Sequence, residues 1–437
     1  MAVCFAVFIA AIVACLILGR SILWGLSAGF AVFLIKGLAM GYDYRTLLTS
    51  AFNKFKTTKR VFLSFSLIGI VSGLWRSAGT IPFLLYYGLK SMPSSLFVLL
   101  SFFLGILISC ALGSSTGTVG TIGVIIITIA RFSGVYEPLV AGALISGAFF
   151  GGTLGSPVAS CSILLAAVTG TNQLENMKKF YKIQIVPVII SSIVFMVLSL
   201  LNPLPYIDDS VFTPVREFFV FHWVEIIPVL FIAILPFVHV SIELTLTFSA
   251  VAAFLISVFV QHMPVTSVLK AGFSGFYPGI ADLSAFSGGG FTTVVLPLMV
   301  VLIASFNAGI LECIDALKPI KNATIKTADR FGLFPATALL SIVVASIFCN
   351  QSVTTIIDEQ ILSDIYKSKG ASRKELAMDL GNSAVVLSGM IPWSVALTVP
   401  LQVTGTGIET IPFLVLMYMT PICYMFGKNR WLRAIIQ

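Results

Sequence analysis

Apolar and polar positions alternate along this chain in blocks, not residue by residue. Apolar segments lie at 2–19, 21–41, 61–88, 95–131, 137–170, 182–201, 222–241, 243–261, 291–312, 331–366, 380–404 and 411–427. A spanning helix needs about 20 mostly apolar residues, so the pattern predicts a polytopic, all-α membrane protein. The ten-residue alternation of an outer-membrane barrel is absent. Several segments are too long or too interrupted for single plain helices, and those interruptions are where function is sought.

Composition reinforces this class. Hydrophobic residues make up 58% of the 437 and charged ones 10%, against roughly 25% charged in soluble domains, which excludes a water-soluble fold. The formal charge of +8 does not point to nucleic acid, because Lys and Arg gather between apolar runs, as membrane orientation requires. They cluster at 45–60, 178–182, 318–330, 367–374 and 428–433, and all five clusters are expected to face the cytoplasm. The stretch 202–218, with Asp208, Asp209 and Glu217 against Arg216, suits an external loop between two halves. The seven cysteines are odd in number and form no CxxC pair, so they read as small apolar fillers. The start of the chain lacks the basic region and cleavage site of a signal peptide and reads as a retained first helix.

Each single crossing must flip the side of the next loop. The five basic loops satisfy that parity only if 95–131 and 331–366 each enter and leave on one face, as re-entrant hairpins with tips at 113–118 and 350–355. The alternative is one long kinked helix at each place. The hairpin reading gives about ten spanning helices, two hairpins and both termini inside. An internal repeat supports it: SPVASCSILLAAVTGT (156–171) recurs in IPWSVALTVPLQVTGT (391–406), pairing Pro157 with Pro392 and Val168 to Thr171 with Val403 to Thr406. Related segments precede each copy, Leu99-Leu100-Ser101 with Cys110 and Leu339-Leu340-Ser341 with Cys349. An odd number of crossings per half inverts the second half, an architecture of secondary transporters. The expected division is a first inverted repeat at 1–205, an external linker at 206–218 and a second inverted repeat at 219–437.

Irregular backbone within hydrocarbon is tolerated only where it lines a cavity or is buried in protein. Four such places occur, two per half: the first tip with Ser114, Ser115 and Thr116; the break at 151–157 with Ser156 and Ser160 after its glycines; the second tip with Asn350, Gln351, Ser352 and Thr354; and the stretch 381–393 with Asn382 and Ser388. Hard oxygen donors of this kind suit Na⁺, and half-helix N-termini suit an anionic group. The alternative gives these small residues a packing role only, which is the expectation for Gly147, Gly151 and Gly155. Among acids, Asp358 follows the second tip and is the expected proton or cation carrier, unless it simply faces water near the end of its arm. Glu312, Asp315, Glu225 and Glu243 read as interfacial anchors, Asp282 is open, and Arg76 reads as a snorkelling end residue.

Gly113-Ser114-Ser115-Thr116-Gly117 matches the G-x-S-x-G nucleophile pattern, but it sits between membrane helices and all three histidines fall in the other half, so no enzyme is expected. A channel fits less well than alternating access, given inverted halves and dispersed acids. The expected partners are the lipid bilayer and small ions or a small solute, without nucleic acid or any cofactor beyond transported Na⁺ and H⁺. A homodimer is compatible with the pattern. The expected location is the inner (plasma) membrane.

Residues 66–90, 109–124, 145–172, 287–290, 307–312 and 382–393 together resemble the NhaC-type sodium/proton antiporters of the ion-transporter superfamily. The resemblance implies Na⁺/H⁺ exchange. The family pattern usually has Asp at the positions of Gly152 and Ser160, and a relative moving an organic acid or amino acid coupled to Na⁺ or H⁺ is similarly close.

Overall fold

A computed structural model of the chain describes residues 2–18, 20–57, 59–91, 93–157, 159–205, 213–235, 240–280, 283, 286–314 and 318–428. Asp208, Asp209, His239, Asp282, Asp315, Arg430 and Arg433 lie outside the described residues. Among the described residues the chain is helical throughout, with no strand and one isolated bridge between Phe276 and Gly288. It is an α-helical, multi-pass membrane protein. Helices satisfy their own backbone groups in lipid, and polar caps serve the ends. Asn172 Oδ1 accepts from Glu175 N at 3.0 Å and Ser372 Oγ from Glu375 N at 3.1 Å.

The chain opens with α1 (Ala2–Ile17), α2 (Ile22–Ala39), α3 (Tyr44–Thr57), α4 (Lys59–Ser77) and α5 (Thr80–Ser91). Next come α6 (Phe97–Leu112), α7 (Ser115–Thr118), α8 (Val124–Ser133), α9 (Glu137–Phe150), α10 (Ser160–Thr169), α11 (Gln173–Leu201) and the short α12 (Thr213–Phe218). A similar order follows in α13 (Ile227–Ile234), α14 (Ile242–Phe259), α15 (Val265–Ser274), α16 (Val295–Cys313) and α17 (Lys318–Phe331). The chain then runs through α18 (Leu333–Phe348), α19 (Gln351–Ser368), α20 (Arg373–Gly381), α21 (Ala384–Leu387), α22 (Val395–Thr404) and α23 (Val415–Gly427). Among the described residues, five stretches are long and apolar enough to cross a membrane: Ile22–Ala39, Ser115–Ser133, Glu137–Thr169, Gln173–Leu201 and Phe291–Cys313. Shorter apolar helices accompany them.

Several helices early and late in the chain have equal lengths. Helices α2 and α14 each have 18 residues, α4 and α16 each 19, α6 and α18 each 16. Helix α4 packs on α14 and α15, as α16 packs on α2 and α3. Trp75 Nε1 donates to Ser249 Oγ at 2.9 Å, and the Ser77 and Ser257 hydroxyls meet at 2.9 Å, so polar contacts hold α4 on α14. In the repeated VTGT segments, the Thr169 and Thr171 hydroxyls meet at 2.8 Å, and so do those of Thr404 and Thr406.

The hydropathy reading differs from the structure in two respects. Segment 61–88 is broken at Ala78 and Gly79, and three stretches outside the apolar segments are the helices α3, α15 and α17. Helices α3 and α17 carry enough polar residues on one face to escape a search for apolar runs.

Helix α6 lies alongside α9 and runs parallel to it. A Cβ on Gly105 would stand 2.6 Å from the Leu144 carbonyl oxygen, and one on Gly147 2.1 Å from that of Phe102. Ser109 Oγ, nearer the end of α6, meets Gly147 O at 3.3 Å and Gly151 N at 3.0 Å. Residues 134–136 alone join α8 to α9, so the connection from α6 through α8 returns to the level where α6 began. The residues flanking its turn, Ser109 and Cys110 before it and Ser115 after it, lie against Gly151 and Gly152, near the middle of the stretch Glu137–Thr169.

Candidate functional site

Both tips are built alike. Gly113 ends α6 with φ 63°, and Cys349 ends α18 with φ 55°, a left-handed conformation that glycine adopts more readily than cysteine. The next residue is extended and caps the returning arm: Ser114 Oγ accepts from Gly117 N at 3.0 Å, and Asn350 Oδ1 accepts from Ser352 N at 3.0 Å and Val353 N at 3.2 Å. Four residues into each arm a threonine hydroxyl bonds back, Thr118 to Ser114 O at 2.8 Å and Thr354 to Asn350 O at 2.9 Å. The Ser114 and Thr116 hydroxyls are 3.3 Å apart, and Ser115 is buried. Ser352 is half-buried.

The interruptions meet one another. Gly152 admits the first tip, since a Cβ there would stand 2.2 Å from Ser115 N. A carboxylate at position 152 has no room while the tip is docked this way. Gln351 joins the second tip to both breaks: its Oε1 accepts from Cys161 Sγ at 3.1 Å, and its Nε2 donates to Val385 O. Cys349 O accepts from Val395 N at 2.8 Å. Helix α10 packs on α19, and α22 packs on α7 and α8.

The remaining candidates differ in how free they are. Ser156 is buried, Ser160 is exposed at the start of α10, and Ser162 is buried with its hydroxyl unpartnered. Asn382 is buried; its Nδ2 donates to Met378 O at 2.8 Å and its Oδ1 accepts from Gln184 Nε2 at 3.3 Å. Ser388 donates to Ala384 O at 2.6 Å within its own turn. Arg76 is half-buried and donates to Ser72 O and Oγ at 2.9 and 2.6 Å.

Asp358 has no exposed surface. Its Oδ2 accepts from Ser341 Oγ at 2.7 Å, while its Oδ1 has no hydrogen-bond partner. Ser341 Oγ also stands 3.3 Å from Ser383 Oγ. A buried carboxylate oxygen without a donor or cation is costly, by several kcal/mol if the group is ionised.

The sequence reading passed over Asp379. It too has no exposed surface, but both its oxygens are engaged: Oδ1 accepts from Tyr424 OH at 2.7 Å, and Oδ2 from Tyr366 OH at 2.5 Å and from Lys428 Nζ. Its helical phase with Glu375 and Ser383 was the available signal.

Broken helices around buried polar groups are an arrangement that membrane transporters use. The profile of the Na⁺/H⁺ antiporter family matches residues 155–427, more than half of the chain, and the chain belongs to that family. It is 28% identical over 371 residues to a malate-2H⁺/Na⁺-lactate antiporter of Bacillus subtilis (strain 168), covering 83% of this chain and 79% of that protein. It is 26% identical over 396 residues to the Na⁺/H⁺ antiporter NhaC of the same organism, covering 88% and 87%. A third relative, the arginine/ornithine antiporter ArcD of Halobacterium salinarum, is 24% identical over 383 residues, covering 85% and 78%.

Proposed function

We propose that the protein exchanges Na⁺ for H⁺ across the inner (plasma) membrane, with Asp358 as the carboxylate that the two ions occupy in turn. The observation that carries this reading is the unpartnered Oδ1 of a fully buried carboxylate, one helical arm behind a polar tip. A proton and a Na⁺ each neutralise that charge, and each excludes the other. Exchange then needs no second site, only a carboxylate that never crosses bare. Neutral oxygens from Ser114, Ser115, Thr116, Ser156, Ser160, Asn350, Gln351, Ser352, Thr354, Asn382 and Ser388 are the proposed first choice for completing the cation's shell, with backbone carbonyls freed at the breaks. Na⁺ is substrate here, not a resident metal.

The proposed topology is ten crossings and two hairpins, with both termini cytoplasmic. Residues 1–205 and 219–437 form the two inverted halves, and 206–218 the external linker. The equal arms and matching caps of α6 and α18 support it. Single cysteines placed near Lys56, Lys179, Lys321 and Lys369 should stay protected from an impermeant thiol reagent in whole cells. Labelling at Lys369 would remove the second hairpin.

A second reading is exchange of an organic acid or amino acid coupled to Na⁺ or H⁺. The match to relatives named for such solutes favours keeping it. Proteoliposomes holding the purified protein decide between the two. An imposed pH gradient should drive Na⁺ uptake without any organic solute inside; Na⁺ movement that appears only with a carboxylate or amino acid present favours the second reading.

A further inference from the structure

Helices α18, α19 and α20 face one another along a polar seam. Its deepest level is Ser341, Asp358 and Ser383. One turn back from Ser341 and from Ser383, and two turns onward from Asp358 along α19, lies a second level. There Tyr366 OH meets Thr337 Oγ1 at 2.8 Å and donates to Asp379, which Tyr424 also reaches. The last level is Lys428, whose ammonium contacts Asp379 and stands 2.8 Å from Glu375 Oε1. Lys374 and Glu175 pair close by at 2.7 Å, so the seam runs from Asp358 to the basic end of the bundle.

Burying an ion pair rarely stabilises a protein as much as apolar residues of the same volume would, so a pair with one member fully buried and the other 11% exposed calls for a different account. The Lys428 ammonium faces two carboxylates, Asp379 and Glu375, and two phenol hydroxyls donate to that of Asp379. These are hard oxygen ligands of the kind that hold a small monovalent cation. At the far end of the same seam, Asp358 keeps an oxygen with no partner.

We propose that Asp379 is a second station for Na⁺ on the path between Asp358 and the basic end, and that Lys428 is a tethered cation holding the station until Na⁺ displaces it. The proposal rests on the reading of Asp358 as the ion-carrying carboxylate, since it supplies that site's route to one face. Na⁺ arriving at Asp379 and Glu375 releases the Lys428 ammonium toward water, so the carboxylates are never left without a cation.

Na⁺ binding without transport separates this station from the Asp358 site. In the full-length protein carrying Asp358→Asn, Lys428→Met should create a Na⁺ requirement. Its melting temperature should rise saturably with NaCl but not with N-methylglucamine chloride, because a ligand that binds only the folded state stabilises it. The same protein with Asp379→Asn added should fold and show no such difference. Should Lys428→Met fail to purify, the neutral pair Asp379→Asn/Lys428→Met in the otherwise wild-type protein gives a second measurement. Its half-saturating Na⁺ concentration from the basic face should rise about tenfold, equivalent to about 1.4 kcal/mol. Na⁺-independent melting of the Lys428→Met protein, or wild-type Na⁺ kinetics in the neutral pair, overturns the proposal. Normal gradient-driven exchange by Asp358→Asn alone would sink the reading of Asp358 and leave the binding result at Asp379 standing.

Discussion

Asp358→Asn should remove gradient-driven exchange from a protein that still folds. The substitution keeps the shape and a hydrogen-bonding oxygen for Ser341, whose hydroxyl now donates to the side chain at 2.7 Å. Placing an ionised Asp at the centre of a spanning helix costs about 2.5–3.5 kcal/mol on insertion scales. A bound cation must offset at least that much for the charged form to persist, so losing the charge should weaken cation binding by about a hundredfold at 1.4 kcal/mol per factor of ten. Removing a lone buried charge relieves the folded state, so melting temperature should hold or rise. Proteoliposome Na⁺ uptake under an imposed pH gradient, read beside a melting curve, checks both halves. Uptake at the wild-type rate with an unchanged pH profile would show that Asp358 carries no coupling ion.

The interruptions were visible in the sequence because lipid makes them conspicuous. GSSTGT, GGTLGSP and NQSVTT are polar or glycine-rich insertions in runs that hydrocarbon would otherwise keep apolar, and each falls at a tip or a break in the helices. The VTGT repeat was equally legible, and its two threonine pairs form the same 2.8 Å contact. Asp379 was hidden for the opposite reason. The apolar segment begins at residue 380, so Asp379 stands one position outside it in a charged stretch. Its partners Tyr366, Tyr424 and Lys428 lie 13, 45 and 49 residues away. Hydropathy reports how a segment partitions into lipid, not which buried faces later meet. The same limit applied to Asn382 and Ser388, where nothing in the residue type tells that one side chain bonds Gln184 from α11 and the other its own turn.

Gly152→Ala should cost both stability and transport, whereas Gly134→Ala should cost stability alone. At Gly152 the space for a Cβ is taken by backbone: Ser115 N would lie 2.2 Å away and Ser115 Cα 2.8 Å, with no flexible side-chain end to swing aside. Either the first tip leaves its seat on the break or α9 shifts, and overpacking of this kind costs about 1–3 kcal/mol. If the docked tip belongs to the transporting state, that energy lowers its population by about 5- to 150-fold, and Na⁺ uptake should fall by a factor in that range. Gly134 has open space around it but a φ of +71°. Alanine there pays only the left-handed backbone, roughly 1 kcal/mol, in the turn between α8 and α9. The two variants should therefore lose comparable melting temperature while only the first loses uptake. Equal uptake from both, at matched protein in the vesicles, would mean that the contact between the first tip and the break does not serve transport.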